Sequence, residues 1–193
     1  FRFKGRDGLN MLRTLMSILG VYKLYEKWLR HQVKGGERPE HIAIILDGNR
    51  RWASSHQLNP WMGHHYGAKK IEDLLGWCLD LDVKSITLYA FSTENFERPS
   101  KEVEEIMQIA EEKLLEVLED ERIHRHEVRV KVIGRRHLLP KNLREAVRRV
   151  EEATKDYDQH FLNVAIAYGG RAEILDAARE IARGVKAGSL DPE

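Results

Sequence analysis

The sequence predicts an α/β domain, a mainly parallel sheet with surrounding helices, preceded by an amphipathic amino-terminal helix. Three observations carry this. Four short apolar or β-branched runs recur along the chain, each is succeeded by a stretch with helical periodicity, and no strand leads directly into another. Strict β–α alternation at this spacing is the pattern of parallel strands joined by helical crossovers.

Over residues 9–33, Leu12, Leu15, Met16, Leu19, Tyr22, Tyr25, Trp28 and Leu29 fall at helical spacing, with Arg13, Lys23, Lys27 and Arg30 as a basic complement and a break near Gly20. Such a helix suits packing on a domain or peripheral contact with a membrane surface equally well. The Gly35-Gly36 hinge closes a first segment, residues 1–38, before the α/β domain of residues 39–193. Residues 42–46 are five uninterrupted apolar residues, which predicts a strand buried on both faces. The helix after it opens near Gly63 and carries Ile71, Leu74, Leu75, Cys78 and Leu79 on one stripe. Strand 84–91 leads to a helix opening at Ser100, with Glu102 and Glu104 in its first turn, where carboxylates favour the helix dipole. Val103, Ile106, Met107, Ala110 and Leu114 lie along its inward face. Val128, Val130 and Val132 alternate with Arg129 and Lys131, a strand with one exposed face or near an edge. Its helix begins at Pro140, and a fourth strand, 161–167, precedes the closing helix.

Bulk properties exclude several classes. A 193-residue chain builds one substantial core, and a formal net charge of +1 gives no global field for nucleic acid. Cys78 is the only cysteine, so intrachain disulfides are impossible and a reducing, cytoplasmic location is expected. No apolar run approaches the roughly 20 residues needed to cross a bilayer.

Parallel sheets bind ligands beyond the carboxyl ends of their strands. The segments there begin with Asp47-Gly48-Asn49-Arg50-Arg51-Trp52 and Ser92-Thr93-Glu94-Asn95-Phe96-Glu97-Arg98. Glycine permits a sharp turn, asparagine and arginine donate to phosphate oxygens, and a carboxylate among them suits a hard cation bridging to phosphate. Between these segments lies Gly63-His64-His65, where His64 is placed to meet a phosphate or carry a proton if a helix begins there. An aspartate-nucleophile phosphatase also sets Asp-Gly after a buried strand, but it needs an acid two residues earlier, and position 45 is isoleucine.

Four ordered motifs, H-I-A-I-I-L-D-G-N-R-R-W, G-H-x-x-G-A-K-K, Y-A-F-S-T-E-N-F-E-R-P and L-N-V-A-I-A-Y-G-G-R, resemble those of the cis-prenyltransferases, the undecaprenyl and dehydrodolichyl diphosphate synthases. The resemblance runs from about His41 to the end of the chain. It implies condensation of isopentenyl diphosphate onto an allylic primer, farnesyl or geranylgeranyl diphosphate, with Mg²⁺, to give a long polyprenyl diphosphate for glycosyl carrier lipids. By resemblance, Asp47 holds Mg²⁺ against the primer diphosphate, and Gly48, Asn49, Arg50, Arg51 and His64 cradle its phosphates. Ser92, Thr93, Glu94, Asn95 and Arg98 take isopentenyl diphosphate, while Trp52 and Phe96 line the hydrocarbon path. Asn95 then orients the released diphosphate rather than acting as the base itself, because a neutral amide is a poor base. The resemblance further implies a homodimer, and a carboxyl-terminal segment, absent from these 193 residues, that brings more arginines and an acid to the rim. A non-catalytic, lipid-binding subunit of a heteromer is the alternative, although such subunits usually lose the Asp-Gly-Asn and Asn-x-x-Arg residues that this chain keeps.

Overall fold

The computed structural model describes Met16 and residues 20–191, so the first half of the predicted 9–33 helix lies largely outside the described residues. The chain separates into two compact units between Pro39 and Glu40. In the first, helix α1 (Val21–Lys34) starts after Gly20, whose φ of 70° is the left-handed conformation that glycine adopts without strain. Tyr25 stacks on Trp28 along it, and Arg30 pairs with Glu26 one turn away. No described helix is long and apolar enough to cross a membrane.

The second unit carries β1 (His41–Ile45), α2 (Asn49–Ser55), α3 (Pro60–Asp80), β2 (Ser85–Ser92), a 3₁₀ turn (Thr93–Glu97), α4 (Ser100–Glu119), α5 (Glu121–Arg125), β3 (Val128–Ile133), a second 3₁₀ turn (Arg136–Leu138), α6 (Lys141–Thr154), β4 (His160–Tyr168) and α7 (Gly170–Lys186). The four strands form one parallel sheet in the order β1-β2-β4-β3. All four predicted strands are present, each within a residue or so of its expected ends.

The register explains the core. Ile42, Ile86, Leu162 and Val130 align in one row across the sheet, and Ile44, Leu88, Val164 and Val132 in the next. These rows form one face, packed with Cys78, Met107, Leu114, Leu143, Val147 and Val150 from the helices. The opposite face is different. Residues 42–46 are not buried on both sides: His41, Ala43 and Ile45 are exposed, Ile45 by 73%. Among the described residues β1 is the sheet's edge, and no helix covers its second face. An unbroken apolar run reads alike whether one face or two is covered, which is why the sequence overstates this burial. Ile174 and Ile181 of α7 are likewise exposed.

The other edge is closed by side chains. The N–H of Val130 donates to Thr154 Oγ1 at 3.1 Å, and that of Val132 to Glu151 Oε1 at 3.0 Å. Arg136 binds Glu151 and donates to the carbonyl of Val132. The alternating pattern that places β3 near an edge agrees with its exposed Arg129 and Lys131.

β2 is irregular where it nears the rim. Tyr89 pairs with Ala165 and Phe91 with Ile166, so Ala90 is an extra residue in the ladder. A bulge of this kind bends a strand and re-aims the chain beyond it. Here the re-aimed residues are Ser92, Thr93, Glu94 and Asn95.

Candidate active site

The β1 end turns through Gly48, at φ 92°, a conformation that a side chain would strain. Asp47 Oδ1 accepts the Gly48 N–H at 2.6 Å, and its Oδ2 pairs with Arg51 at 2.8 Å. Both side chains of that pair are about three-quarters exposed, at 75% and 79%. An ion pair in water is worth at most about 1 kcal/mol, so Asp47 is easily released to another cation.

Helix α2 then packs closely on α3. A Cβ at Gly63 would lie 2.1 Å from the Asn49 carbonyl oxygen, and one at Gly67 would lie 2.4 Å from Asn49 Oδ1. The two glycines, four residues apart on one helix face, let the α2 backbone sit against α3. This corrects the reading of Gly63 as a helix opening. The helix starts at Pro60, a favoured first-turn residue, and His64 stands a full turn inside it. No free helix N–H groups are available at His64 to attract an anion.

Instead His64 is built into the interior. Its side chain is 11% exposed; Nε2 lies 3.2 Å from Glu102 Oε1 and Nδ1 lies 3.5 Å from Asn49 Nδ2. The carboxylate can only accept, so it fixes the proton on Nε2 and leaves Nδ1 to accept from the amide. Burial lowers the imidazole's pKa below its ordinary value, and Arg98 and Arg50 push the same way, against the Glu102 hydrogen bond. Both conditions favour a neutral ring.

Glu102 is the residue that sequence reasoning misses. Its side chain is only 7% exposed, and the Oε1 that meets His64 also accepts from Arg98 Nη1 at 3.2 Å, with Arg50 Nε at 3.7 Å. As a carboxylate serving the helix dipole, it reads as solvated. Two signals point inward: it precedes Ile106 by four residues on the buried stripe, and it stands four residues after Arg98.

The second loop is held by its own hydrogen bonds. Asn95 Oδ1 accepts the N–H of Ser92 at 3.0 Å, and the Ser92 hydroxyl answers the Asn95 N–H, closing a capping box around the 3₁₀ turn. Thr93 packs against Gly169, where a Cβ would meet its Oγ1 at 2.5 Å, and Glu94 is exposed. Phe96 turns into the core edge-on to Phe91, with centroids 4.9 Å apart. Trp52 stacks on His56 and leans on Tyr66 at the surface of α2 and α3. In the loop after β3, residues 134–137, the arginines serve structure, since Arg135 pairs with Asp176 and Arg136 with Glu151.

Behind this rim runs a cavity of about 450 Å³. Asp47, Asn49, His64, Ser92, Asn95 and Arg98 share its near end. Ile71, Leu75 and Leu79 of α3, Ile106, Ala110 and Val117 of α4, and Leu88 and Val164 of the sheet form its walls. The helix residues among them belong to the apolar stripes along α3 and α4. Trp52 and Phe96 are not among its lining residues. Eleven residues along α4 from Glu102, roughly 16 Å at 1.5 Å per residue, Lys113 bridges to Glu72 of α3 at 2.7 Å and to Glu116 at 2.6 Å, so the far end is polar again.

A metal has limited support from the protein alone. No three metal-binding side chains cluster among the described residues. One exposed carboxylate nevertheless fits Mg²⁺, which keeps most of its waters and is commonly held by one or two carboxylates together with substrate phosphates.

Comparison with known proteins shows the family of the chain. The family described as "Putative undecaprenyl diphosphate synthase" matches residues 45–192. The chain is 53% identical over 191 residues to the tritrans,polycis-undecaprenyl-diphosphate synthase (geranylgeranyl-diphosphate specific) of Methanopyrus kandleri, covering 96% of this chain and 70% of that protein. It is also 53% identical over 170 residues to the synthase of that name from Pyrococcus horikoshii, covering 88% and 64%. The chain therefore spans about two thirds of the length of these relatives. Among solved structures, lavandulyl diphosphate synthase from Lavandula x intermedia, in complex with dimethylallyl diphosphate, matches with a TM-score of 0.74 at 32% identity, covering 83% of this chain and 66% of that one.

Proposed function

Since the chain belongs to the undecaprenyl diphosphate synthase family of cis-prenyltransferases, we propose that it elongates geranylgeranyl diphosphate with isopentenyl diphosphate to a long polyprenyl diphosphate, the precursor of a glycosyl carrier lipid. The observation that carries this reading is the junction of a cationic, hydroxyl- and amide-bearing rim with an apolar cavity. A prenyl diphosphate has that same division into a charged head and a greasy tail. Geranylgeranyl diphosphate is the primer because the relatives from M. kandleri and P. horikoshii are named as specific for it.

Asp47 would hold Mg²⁺, exchanging its weak pair with Arg51 for the metal. When bound there, Mg²⁺ neutralises charge that develops on the departing diphosphate. Asn49, Arg50 and Arg51 serve the primer head, and Ser92, Asn95 and Arg98 serve isopentenyl diphosphate. In the condensation, the double bond of isopentenyl diphosphate attacks the primer's first carbon, diphosphate leaves with the bonding pair, and a proton is lost from the new unit. Asn95 commits its Oδ1 to the Ser92 N–H. Its amide NH₂ is thus the group that meets ligand, which supports donation to a diphosphate that itself takes the proton.

Each added unit places five carbons in the cavity, about 3–4 kcal/mol if fully buried. Elongation is then favourable while apolar wall remains, and release is slow. The test is incubation with Mg²⁺, labelled isopentenyl diphosphate and either geranylgeranyl or farnesyl diphosphate, with products separated by chain length. Multi-unit products with geranylgeranyl diphosphate preferred are expected. Absence of any condensation, with the primer still bound, would support the lipid-binding subunit instead.

A further inference from the structure

A carboxylate is an unfavourable neighbour for two diphosphates, yet Glu102 lies buried directly behind His64 and Arg98, two of the residues that line the cavity. Burying it costs desolvation, and one oxygen compensates by accepting from His64 and Arg98 and by facing Arg50 at ion-pair distance. Arg98 comes from the end of the 3₁₀ turn, His64 from α3 and Arg50 from α2, while Glu102 itself begins α4. His64 extends the linkage to Asn49 through its other nitrogen. The two loops that handle phosphate are therefore tied to each other through this one side chain.

We propose that Glu102 is a positioning residue: it fixes Arg50, His64 and Arg98 relative to one another, and so sets the separation at which the two diphosphates are held. It touches no substrate. Without it the guanidinium of Arg98, already partly exposed, moves with solvent and anion freely, and His64 loses the partner that sets its tautomer. Because a negative charge is removed from the rim, ground-state binding of an anion does not suffer. Only the alignment needed in the transition state does. Positioning thus has a signature that a purely structural carboxylate lacks, namely tight binding with slow chemistry.

This rests on the prenyltransferase reading, and the experiment separates the two. Glu102→Gln is isosteric, keeps an acceptor and removes the charge. Geranylgeranyl diphosphate binding, measured without isopentenyl diphosphate, should be equal to or tighter than that of the wild type, while kcat falls at least about tenfold. In parallel, nitrogen NMR of the His64 ring in the wild type near pH 7.5 should show one neutral tautomer with the proton on Nε2, and Glu102→Ala should mix the tautomers. A kcat within about threefold of wild type, affinity falling together with kcat, or mixed tautomers in the wild type would each overturn the inference. A wild type that binds no geranylgeranyl diphosphate refutes the functional reading instead, and the tautomer result then decides the role of Glu102 alone.

Discussion

Asp47 and Glu102 are two carboxylates of one rim in opposite physical states. Asp47 is three-quarters exposed and paired with Arg51 on its own turn of chain. Glu102 is 7% exposed and ties together three other elements. The first pair is screened and cheap to break, so it is suited to exchange partners when a cation and a phosphate arrive. The second cluster would leave uncompensated buried charge if any member were withdrawn, so it resists rearrangement. One half of the rim is exposed and loosely paired, and the other is buried and tightly paired.

The strongest way to break this contrast is Asp47→Ala. If Asp47 acts only when substrate and metal are present, turnover should fall by more than about 100-fold, some 2.7 kcal/mol, with the melting temperature unchanged. Retention of a tenth of wild-type turnover removes Asp47 from the metal site. Next in size is Gly63→Ala, which attacks the fixed half. Its methyl would meet the Asn49 carbonyl oxygen, so α2 and α3 must part, and overpacking of this sort costs about 1–3 kcal/mol. Chemical denaturation should register that loss, and an unchanged midpoint would mean that α2 is not clamped on α3.

Acid gives a smaller and more selective probe. Burial holds the His64 imidazole below its usual value, so the unfolded chain takes up the proton first as pH falls. Stability supplied by the neutral ring is complete above about pH 6.5 and is lost as pH drops from there toward the folded-state value. The gap in melting temperature between wild type and His64→Gln should narrow between pH 7.5 and 5.5. A widening gap would mean the ring is held protonated. Smallest of all, Arg51→Ala should shift stability by less than about 1 kcal/mol, while raising the concentration of primer needed for half-maximal rate.

The contrast is half legible in the sequence. Asp47 and Asn95 stand in short loops after strands, where polar residues with no periodicity invite a functional reading, and the alternation of β and α puts those loops on one rim. Glu102 sits inside a periodic helix, where a first-turn glutamate has a ready local explanation, so its burial comes only from packing. The start of α3 is misread from sequence because glycine at Gly63 signals both helix ends and close helix contacts. Asn59-Pro60, an ordinary helix-opening pair, marks the true start. The uncovered face of β1 has no sequence signal at all, since burial on a second face depends on what packs there.

The closure of β3 has a consequence for how this sheet can grow. A free strand edge is a template on which another chain can add a strand, and such edges invite aggregation. Along β3 the outward N–H groups of Val130 and Val132 already serve Thr154 and Glu151. Arg136 occupies the Val132 carbonyl beside them. Addition of a further strand, from a partner or from a misfolded copy, is therefore disfavoured at β3, where it would have to displace these side chains.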